Sequence, residues 1–199
     1  MTSPSRRERH KHERLDRIKA AAWALFSTQG YESTTIRQIA ERADVAPATV
    51  ILHAGDKAEL LLLVFHDVIA KRIQPPETTS ELPLPQTLLE LLRPFIRFYG
   101  DYPELARAFF REFLYGKNRW QEQETRQAQA FLALLSQLIE ARCRSGELKE
   151  GTDAELLAQT VFALYQTALQ GWSCGALPLS EIESTLERQF IWLMEVHRA

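Results

Sequence analysis

The amino-acid sequence predicts an all-α protein of about nine helices, with an N-terminal three-helix helix-turn-helix domain and a larger C-terminal helical domain. Apolar residues recur at steps of three and four along most of the chain, which is the period of amphipathic helices. No segment alternates apolar and polar residues for long enough to predict a strand. Four prolines within residues 73–85 separate the two domains, because proline ends a helix and drives its neighbours extended.

The first two helices are bounded by cap signals. Residues 1–14 are polar and basic, and we expect them to form a flexible tail. The first helix starts at residue 15 and ends at Gly30, a residue type that suits a left-handed helix cap. Thr35 and Gln38 form a capping box that starts the second helix. The apolar stripes of these helices consist of Leu15, Ile18, Ala22, Leu25, Phe26, Ile36, Ile39 and Ala40.

A tight turn at residues 43–45 joins the second helix to a short third helix, which is the sequence form of a helix-turn-helix. We expect Val45 to fill the corner between the helices. Pro47 suits the first position of the third helix, and Val50 is the buried residue of that helix. Small residues around the turn allow the two helices to pack closely.

The remaining helices follow from caps and breaks in the sequence. Asp56 caps a fourth helix, which links the two domains and ends near residue 73. The predicted helix-turn-helix domain therefore spans residues 15–60, and the C-terminal domain spans residues 74–199. Glycine and proline breaks predict five more helices, over residues 87–100, 103–116, 121–145, 153–173 and 180–197.

Composition and charge exclude several classes of protein. The net charge is −2, but residues 1–75 carry +3 and residues 76–199 carry −5, as in a protein that presents one end to phosphate. No apolar run approaches the roughly 18 residues of a membrane span, and the N-terminus lacks the apolar core of a secretory signal. We therefore expect a cytoplasmic protein with no membrane partner. Cys143 and Cys174 do not make a disulfide framework.

The sequence offers no candidate metal, cofactor or catalytic site. Its histidines do not cluster with cysteines at the spacing of metal ligands. It has no glycine-rich phosphate loop and no nucleophile elbow. We therefore predict a protein without a metal or cofactor that is not an enzyme. The histidines are His10, His12, His53, His66 and His197.

The third helix carries residues that suit a DNA major groove. Thr49 can bond a phosphate or a base edge, and Ala48 and Ile51 can contact thymine methyl groups. Pro47 and Leu52 project from the same short helix. The same local pattern also fits an ordinary pair of helices in a bundle, although DNA binding is the interpretation that the pattern favours.

A set of residues with characteristic spacing extends this pattern. They are Ala21, Ala22, Leu25, Phe26, Gly30, Tyr31, Thr34, Thr35, Ile39, Ala40, Ala43, Val45, Thr49, Val50, His53, Lys57 and Leu60. With this spacing the chain resembles the DNA-binding domain of the TetR family of transcriptional regulators. The resemblance implies an all-α homodimer whose N-terminal helices bind an operator. It also implies that C-terminal helices bind a small ligand that releases the DNA.

The third helix departs from the family pattern. Where the family usually has Gly-Val-Ser, this chain has Asp44-Val45-Ala46, so the usual serine cap is missing. The family usually has Gly at Ala48, Tyr at Ile51, Tyr or His at Leu52, and Phe at Ala54. Since Ile51 and Leu52 cannot donate hydrogen bonds, the protein either reads DNA through apolar contacts and shape or binds it weakly. Leu52 is also a candidate to fill the volume of the missing Phe.

The predicted DNA-contacting residues lie on the third helix and at the starts of the second and fourth helices. The resemblance places Lys57 beside a helix N-terminus that faces phosphate. The basic tail either follows the DNA as an arm or is merely solvated; its residues are Arg6, Arg7, Arg9, Lys11 and Arg14. The full predicted set is Thr35, Arg37, Pro47, Ala48, Thr49, Ile51, Leu52, His53 and Lys57.

Aromatic side chains are dense in the predicted C-terminal domain, where the resemblance places a ligand pocket. Each one alone is explained by a helical core, but together they exceed what a thin helical layer needs. We therefore predict a small apolar or aromatic effector. Arg107, Arg111 and Glu112 are candidates to pair with a polar group of that effector. The predicted lining is Phe95, Phe98, Tyr99, Phe109, Phe110, Phe113, Phe131, Phe162 and Tyr165.

The last two helices carry small and apolar residues, and the resemblance implies that they form a four-helix dimer bundle. The predicted interface is Leu157, Thr160, Ala163, Leu164, Thr167, Leu186, Phe190 and Leu193. A homodimer also suits an operator with two half-sites.

Taken together, the residues and the resemblance predict a ligand-responsive transcriptional regulator. Its partner is a palindromic double-stranded DNA operator, and the expected mode is a repressor that a small apolar effector releases. The alternative is a helical small-molecule binding protein, or an enzyme on the same fold, that has lost operator reading. The motivation for that alternative is the apolar replacement of the family's usual residues at Ile51, Leu52 and Ala54.

Overall fold

The computed structural model of the chain describes residues 5–73, 82–115 and 121–198. These residues contain no strand, only an isolated bridge between Leu148 and Arg198, and the all-α prediction is confirmed there. None of their helices is both long and apolar enough to pass through a membrane. The helices are α1 (Arg6–Gln29), α2 (Ile36–Arg42), α3 (Pro47–Ala54), α4 (Lys57–Ala70), α5 (Leu84–Asp101), α6 (Pro103–Tyr115), α7 (Gln121–Arg144), α8 (Ala154–Ser173) and α9 (Ile182–His197).

Helix α1 begins at Arg6, well before the predicted start at residue 15. The Ser5 hydroxyl accepts a hydrogen bond from the Glu8 amide at 3.3 Å, and the Ser5 amide donates to the Glu8 carboxylate at 2.7 Å. This capping box satisfies amides that the helix leaves open, and it lowers the pKa of Glu8. Residues 6–14 are therefore helical, and they are not the flexible tail expected from their polarity.

Contacts group the described residues of Met1–Val68 and Tyr102–Gln121 into a first unit. Six successive residues of α4, Leu60–Phe65, are buried. Phe65 stacks on Phe109 of α6 with ring centroids 4.5 Å apart, so α6 completes the core around α4. The small core beneath the helix-turn-helix consists of Ile18, Ala22, Phe26, Ile39, Ala40 and Val50.

The turn between α2 and α3 contains an unusual backbone conformation. Asp44 has a φ of 53°, in the left-handed region that most side chains avoid and that aspartate tolerates. It stands where the resembling family usually has glycine. The Val45 amide donates to the Ala40 carbonyl at 3.0 Å, which closes the turn. Val45 is half-buried in the corner, as predicted.

The described residues of Ile69–Asp101 and Glu122–Ala199 form a second unit. In this unit α9 packs against both α5 and α8, and Arg93 of α5 bonds Glu183 of α9 at 3.1 Å. Phe95 meets Phe131 edge-on with ring centroids 5.7 Å apart. Aromatic side chains thus form much of the interior of this unit, as their density predicts.

Candidate nucleic-acid interface

Helix α3 has one face in the core of the first unit and the other on its surface. Val50 and Ala54 are fully buried, whereas Ile51 is 56% exposed and Leu52 is 73% exposed. Burial at two positions four residues apart defines the inner face of this short helix. Leu52 therefore does not fill the space beside Ala54, contrary to expectation, because it lies on the outer face.

The start of α3 lacks a side-chain cap, as predicted from the missing serine. Ala46 occupies the N-cap position and offers no side-chain hydrogen bond, while Pro47 lies in the first turn. Proline compensates in part, because it has no amide hydrogen to satisfy and its φ is already helical. The Thr49 amide donates to the Ala46 carbonyl at 2.8 Å.

The predicted phosphate-binding side chain of Lys57 contacts protein groups in the first unit. Its ammonium donates to the carbonyls of Tyr31 at 3.0 Å and Glu32 at 3.3 Å. It also lies 4.4 Å from the centroid of the Tyr31 ring, within the range of a cation–π contact. Burial raises the pKa of Tyr31 to about 12. Lys57 thus ties the start of α4 to the α1–α2 turn, a role that the sequence reasoning missed.

The start of α2 presents the other two predicted phosphate contacts. Thr35 caps the helix: its hydroxyl accepts from the Gln38 amide at 3.3 Å, while the Gln38 side chain accepts from the Thr35 amide at 2.8 Å. The predicted capping box is confirmed. Arg37 is exposed one residue into the helix, where its guanidinium can reach an external anion.

A groove of about 810 Å³ lies between the first turns of α1 and the end of α3. Partial burial lowers the pKa of His53, and the positive charges of Arg14 and Lys11 lower it further. The groove was not anticipated, because its α1 wall falls within the supposed tail. Its lining is Arg6, His10, Lys11, Arg14, Leu52 and His53.

The predicted ligand-lining residues fall into two groups. Phe109, Phe110 and Phe113 belong to the first unit, and the other six belong to the second. Seven of the nine are buried, while Phe113 and Phe162 are half-buried. Among the described residues, the predicted polar partners already bond neighbours: Arg107 bonds Glu104, and Arg111 bonds Glu32 and Glu112.

Tyr165 is the most unusual polar group among the aromatic residues of the second unit. Its hydroxyl is buried and makes no hydrogen bond of good geometry to the described residues. Burial raises its pKa well above the usual value, and the adjacent Tyr99 adds to the effect. Buried hydroxyls normally have a partner, and the neighbouring Tyr99 is the polar group closest in effect to this one.

The predicted dimer-interface residues differ from the apolar residues that α8 and α9 expose. Leu157, Leu186 and Phe190 are at most 3% exposed, because they pack into the interior of their own unit and are not available to a partner. Thr160, Leu164 and Leu193 are half-buried, and Ala163 and Thr167 are exposed. The exposed large apolar residues of α8 and α9 are instead Leu156, Ile191, Trp192 and Val196.

A short helix that follows a tight turn and exposes its outer face defines this chain as a helical protein with an N-terminal helix-turn-helix. A family model described as bacterial regulatory proteins of the tetR family matches residues 18–64. Residues 18–64 therefore match the DNA-binding domain of the TetR family, and the chain is similar to transcriptional regulators.

Comparisons with individual proteins agree with this assignment. An uncharacterized HTH-type transcriptional regulator of Mycobacterium bovis is 31% identical over 51% of this chain and 47% of its own length; the chain thus covers about half of that relative. The fatty acid metabolism regulator protein of Bacillus subtilis is 24% identical over 82% of this chain and 86% of its own length. The Thermus thermophilus FadR structure, in complex with lauroyl-CoA, has a TM-score of 0.71 at 22% identity, covering 91% of this chain and 93% of that one.

Proposed function

We propose that this protein is a transcriptional repressor that binds a palindromic DNA operator as a homodimer and leaves it when a small apolar effector binds. The exposed outer face of α3 is the observation that supports the proposal most directly. Two large apolar side chains, Ile51 and Leu52, are exposed side by side there, and contiguous exposed apolar surface marks interaction sites. The match of residues 18–64 to a family of transcriptional regulators supports the same reading.

The chemistry of α3 suggests how the operator is read. Ile51 and Leu52 offer only carbon atoms, and the base edge that matches them in the major groove is the thymine C5-methyl group. Thr49 is the one hydroxyl among the predicted base contacts of α3. We therefore expect a half-site with thymines opposite the outer face of α3.

A mobility-shift titration with the DNA upstream of the gene tests operator binding. Scrambled DNA at the same salt concentration measures nonspecific affinity, which depends mainly on phosphates. Once an operator is found, replacement of individual thymines by uracil removes only the methyl group. We expect a severalfold loss at two or three positions in each half-site. Equal affinity for operator and scrambled DNA would contradict operator reading.

The homodimer is proposed to form through the outer faces of α8 and α9. Leu156 is 60% exposed, Trp192 68% and Val196 60%, and exposed apolar surface of this extent on neighbouring helices is typical of an interface between subunits. Ala163 and Thr167 on α8 are small, so a partner helix can approach closely. A dimer joins two short α3 helices on one DNA, which raises the affinity well beyond that of one.

The effector site is proposed to lie among the aromatic side chains of the second unit, with the Tyr165 hydroxyl as its polar anchor. The fully buried Tyr165 hydroxyl, with Tyr99 as its polar neighbour in an apolar interior, supports this location. The relative from Thermus thermophilus was solved with lauroyl-CoA, so an acyl chain is the first apolar effector to test. Titration of lauroyl-CoA into the operator complex is expected to release the DNA. Tyr165→Phe should weaken the release, and Tyr102→Phe serves as its control.

Release of the operator by an effector also requires that effector binding and operator binding be thermodynamically coupled. An effector moves the operator equilibrium only by its preference for the DNA-free form, and DNA weakens effector binding by the same factor. Independent titration of both would favour the alternative, a helical small-molecule binding protein without a repressor function. One observation favours that alternative: the Lys57 ammonium already bonds two carbonyls of its own unit.

A further inference from the structure

The first three turns of α1 place positive charge where a helix in a small domain would normally carry apolar residues. Helix α1 buries Ile18, Ala22 and Phe26 on one side. The same side continues towards the N-terminus past the last buried residue, for about 18 Å at 1.5 Å per residue. No apolar residue occurs between Arg6 and Arg14, so this segment adds nothing to the core.

The residues on that side form one wall of the groove beside α3. Arg6, His10 and Arg14 are four residues apart and therefore lie above one another on the helix, and Lys11 is adjacent. Leu52 and His53 of α3 form the opposite wall. Among the described residues no carboxylate lines the groove, although Glu8 is near enough to Lys11 for their charges to interact. Glu13 bonds His10 at 3.3 Å but is not part of the lining.

Unbalanced positive charge in one groove is unfavourable unless an anion shares it. Partial burial lowers the pKa of His53, and the charges of Arg14 and Lys11 lower it further. The capping box at Ser5 and Glu8 fixes the first turn of the wall. The helical backbone that carries the cationic side chains is therefore ordered before any partner arrives, which reduces the entropy lost on binding.

Resting on the proposed operator binding, we infer that this groove is a second DNA-binding surface, in which α1 contacts the phosphates of the DNA backbone that runs beside α3. Arg6 and Arg14 are about 12 Å apart along the helix axis, a length over which one DNA strand presents about three phosphates. Leu52 belongs to both the groove and the outer face of α3. The contacts of the α1 charges with phosphates therefore set the depth to which α3 enters the major groove.

The salt dependence of operator affinity tests this inference with charge-matched variants. Lys11→Gln/Arg14→Gln removes two groove charges per subunit. Arg97→Gln/Arg144→Gln removes two exposed charges of the second unit, on α5 and α7. Each phosphate contact contributes about 0.9 to the slope of log affinity against log salt. The groove variant of a dimer should thus lose about 3 to 4 from the slope, and the control should keep the wild-type slope.

The outcomes separate this inference from the proposed function. If the wild type discriminates operator from scrambled DNA but both double variants share its slope, the groove is not a DNA-binding surface. If the wild type does not discriminate, operator binding itself is wrong. Helix content and thermal midpoint of each variant report its folding. Lys11→Arg/Arg14→Lys keeps the charge and is expected to keep the slope, so a lower slope for that variant would also overturn the inference.

Discussion

Among the described residues, the outer face of α3 and the outer face of α8 and α9 both expose large apolar side chains, and the two faces differ in the charges around them. The outer face of α3 exposes Ile51 and Leu52 beside a groove rich in basic residues. The outer face of α8 and α9 exposes Leu156, Trp192 and Val196, on helices where Glu155 and Glu195 are exposed as well. We therefore propose different partners for these two apolar faces: polyanionic DNA for α3 and a second copy of the chain for α8 and α9.

The largest effect is expected from a charge placed on the α8–α9 face. Trp192→Glu or Ala163→Glu buries an unpaired carboxylate in the dimer and should give monomers, with operator affinity reduced about 100-fold or more. Light scattering gives the mass directly. Leu52→Glu is the matched control and should remain dimeric. A dimeric mass for Trp192→Glu and Ala163→Glu would contradict the assignment of this face.

A charge placed on the outer face of α3 is expected to impair DNA binding without affecting dimer formation. Leu52→Glu puts a carboxylate against phosphates and removes an apolar contact, so operator affinity should fall at least about tenfold. Leu52→Ala should cost less, because it removes only the contact. Fluorescence anisotropy with labelled operator measures both. Equal operator affinities for the wild type and Leu52→Glu would show that α3 does not enter the major groove of the DNA.

Substitutions of Lys57 and Arg37 distinguish a contribution to folding stability from a contribution to DNA affinity. Lys57→Met leaves the carbonyls of Tyr31 and Glu32 without their ammonium donor, so the free energy of unfolding should fall by about 1–3 kcal/mol. Arg37→Met, at an exposed position on the same surface, should leave stability unchanged and weaken DNA binding. Urea unfolding supplies the first quantity. An unaltered midpoint for Lys57→Met would mean that its bonds to the turn are not stabilising.

A substitution in the turn before α3 is expected to have a smaller effect and to increase the free energy of unfolding. Asp44→Gly relieves the left-handed conformation at φ 53°, although glycine also gains entropy in the unfolded chain, so a net stabilisation of about 0.5–1 kcal/mol is expected. Asp44→Ala is the informative comparison, because it keeps a Cβ atom and should not stabilise. Thermal unfolding distinguishes the two variants. A lower midpoint for Asp44→Gly would contradict this account of the turn.

The smallest expected effect is a pH dependence of operator affinity that arises from His53 on α3. The lowered pKa of His53 keeps it neutral near pH 7, and phosphate nearby would raise that pKa, so DNA binding takes up a proton. Operator affinity should therefore rise a few-fold as pH falls through the pKa of His53, and His53→Gln should remove this part of the increase. The dimer mass should not change over the same range. A His53→Gln profile that matches the wild type would exclude this residue.

Sequence patterns anticipated the helices better than the surfaces. Helices α5 to α9 begin and end close to the predicted residues, because glycine and proline mark their ends. The start of α1 was missed because helical periodicity is read from apolar residues, and residues 6–14 have none; only the Ser5–Glu8 cap marked it. On α8, Leu156 and Leu157 are adjacent and chemically identical, yet the first is 60% exposed and the second 3%. Periodicity alone cannot say which apolar face meets a partner and which meets the core.

The stacking of Phe65 on Phe109 has a consequence for dissecting the molecule into fragments. The first unit is continuous in space but discontinuous in sequence, since α6 joins it only after the chain has passed through α5. A fragment that ends at Val68 would retain α1 to α3 but lack the ring that covers Phe65. We expect such a truncated helix-turn-helix to expose apolar surface on α4 and to aggregate. A transplant of this unit into another regulator would have to bring α6 with it.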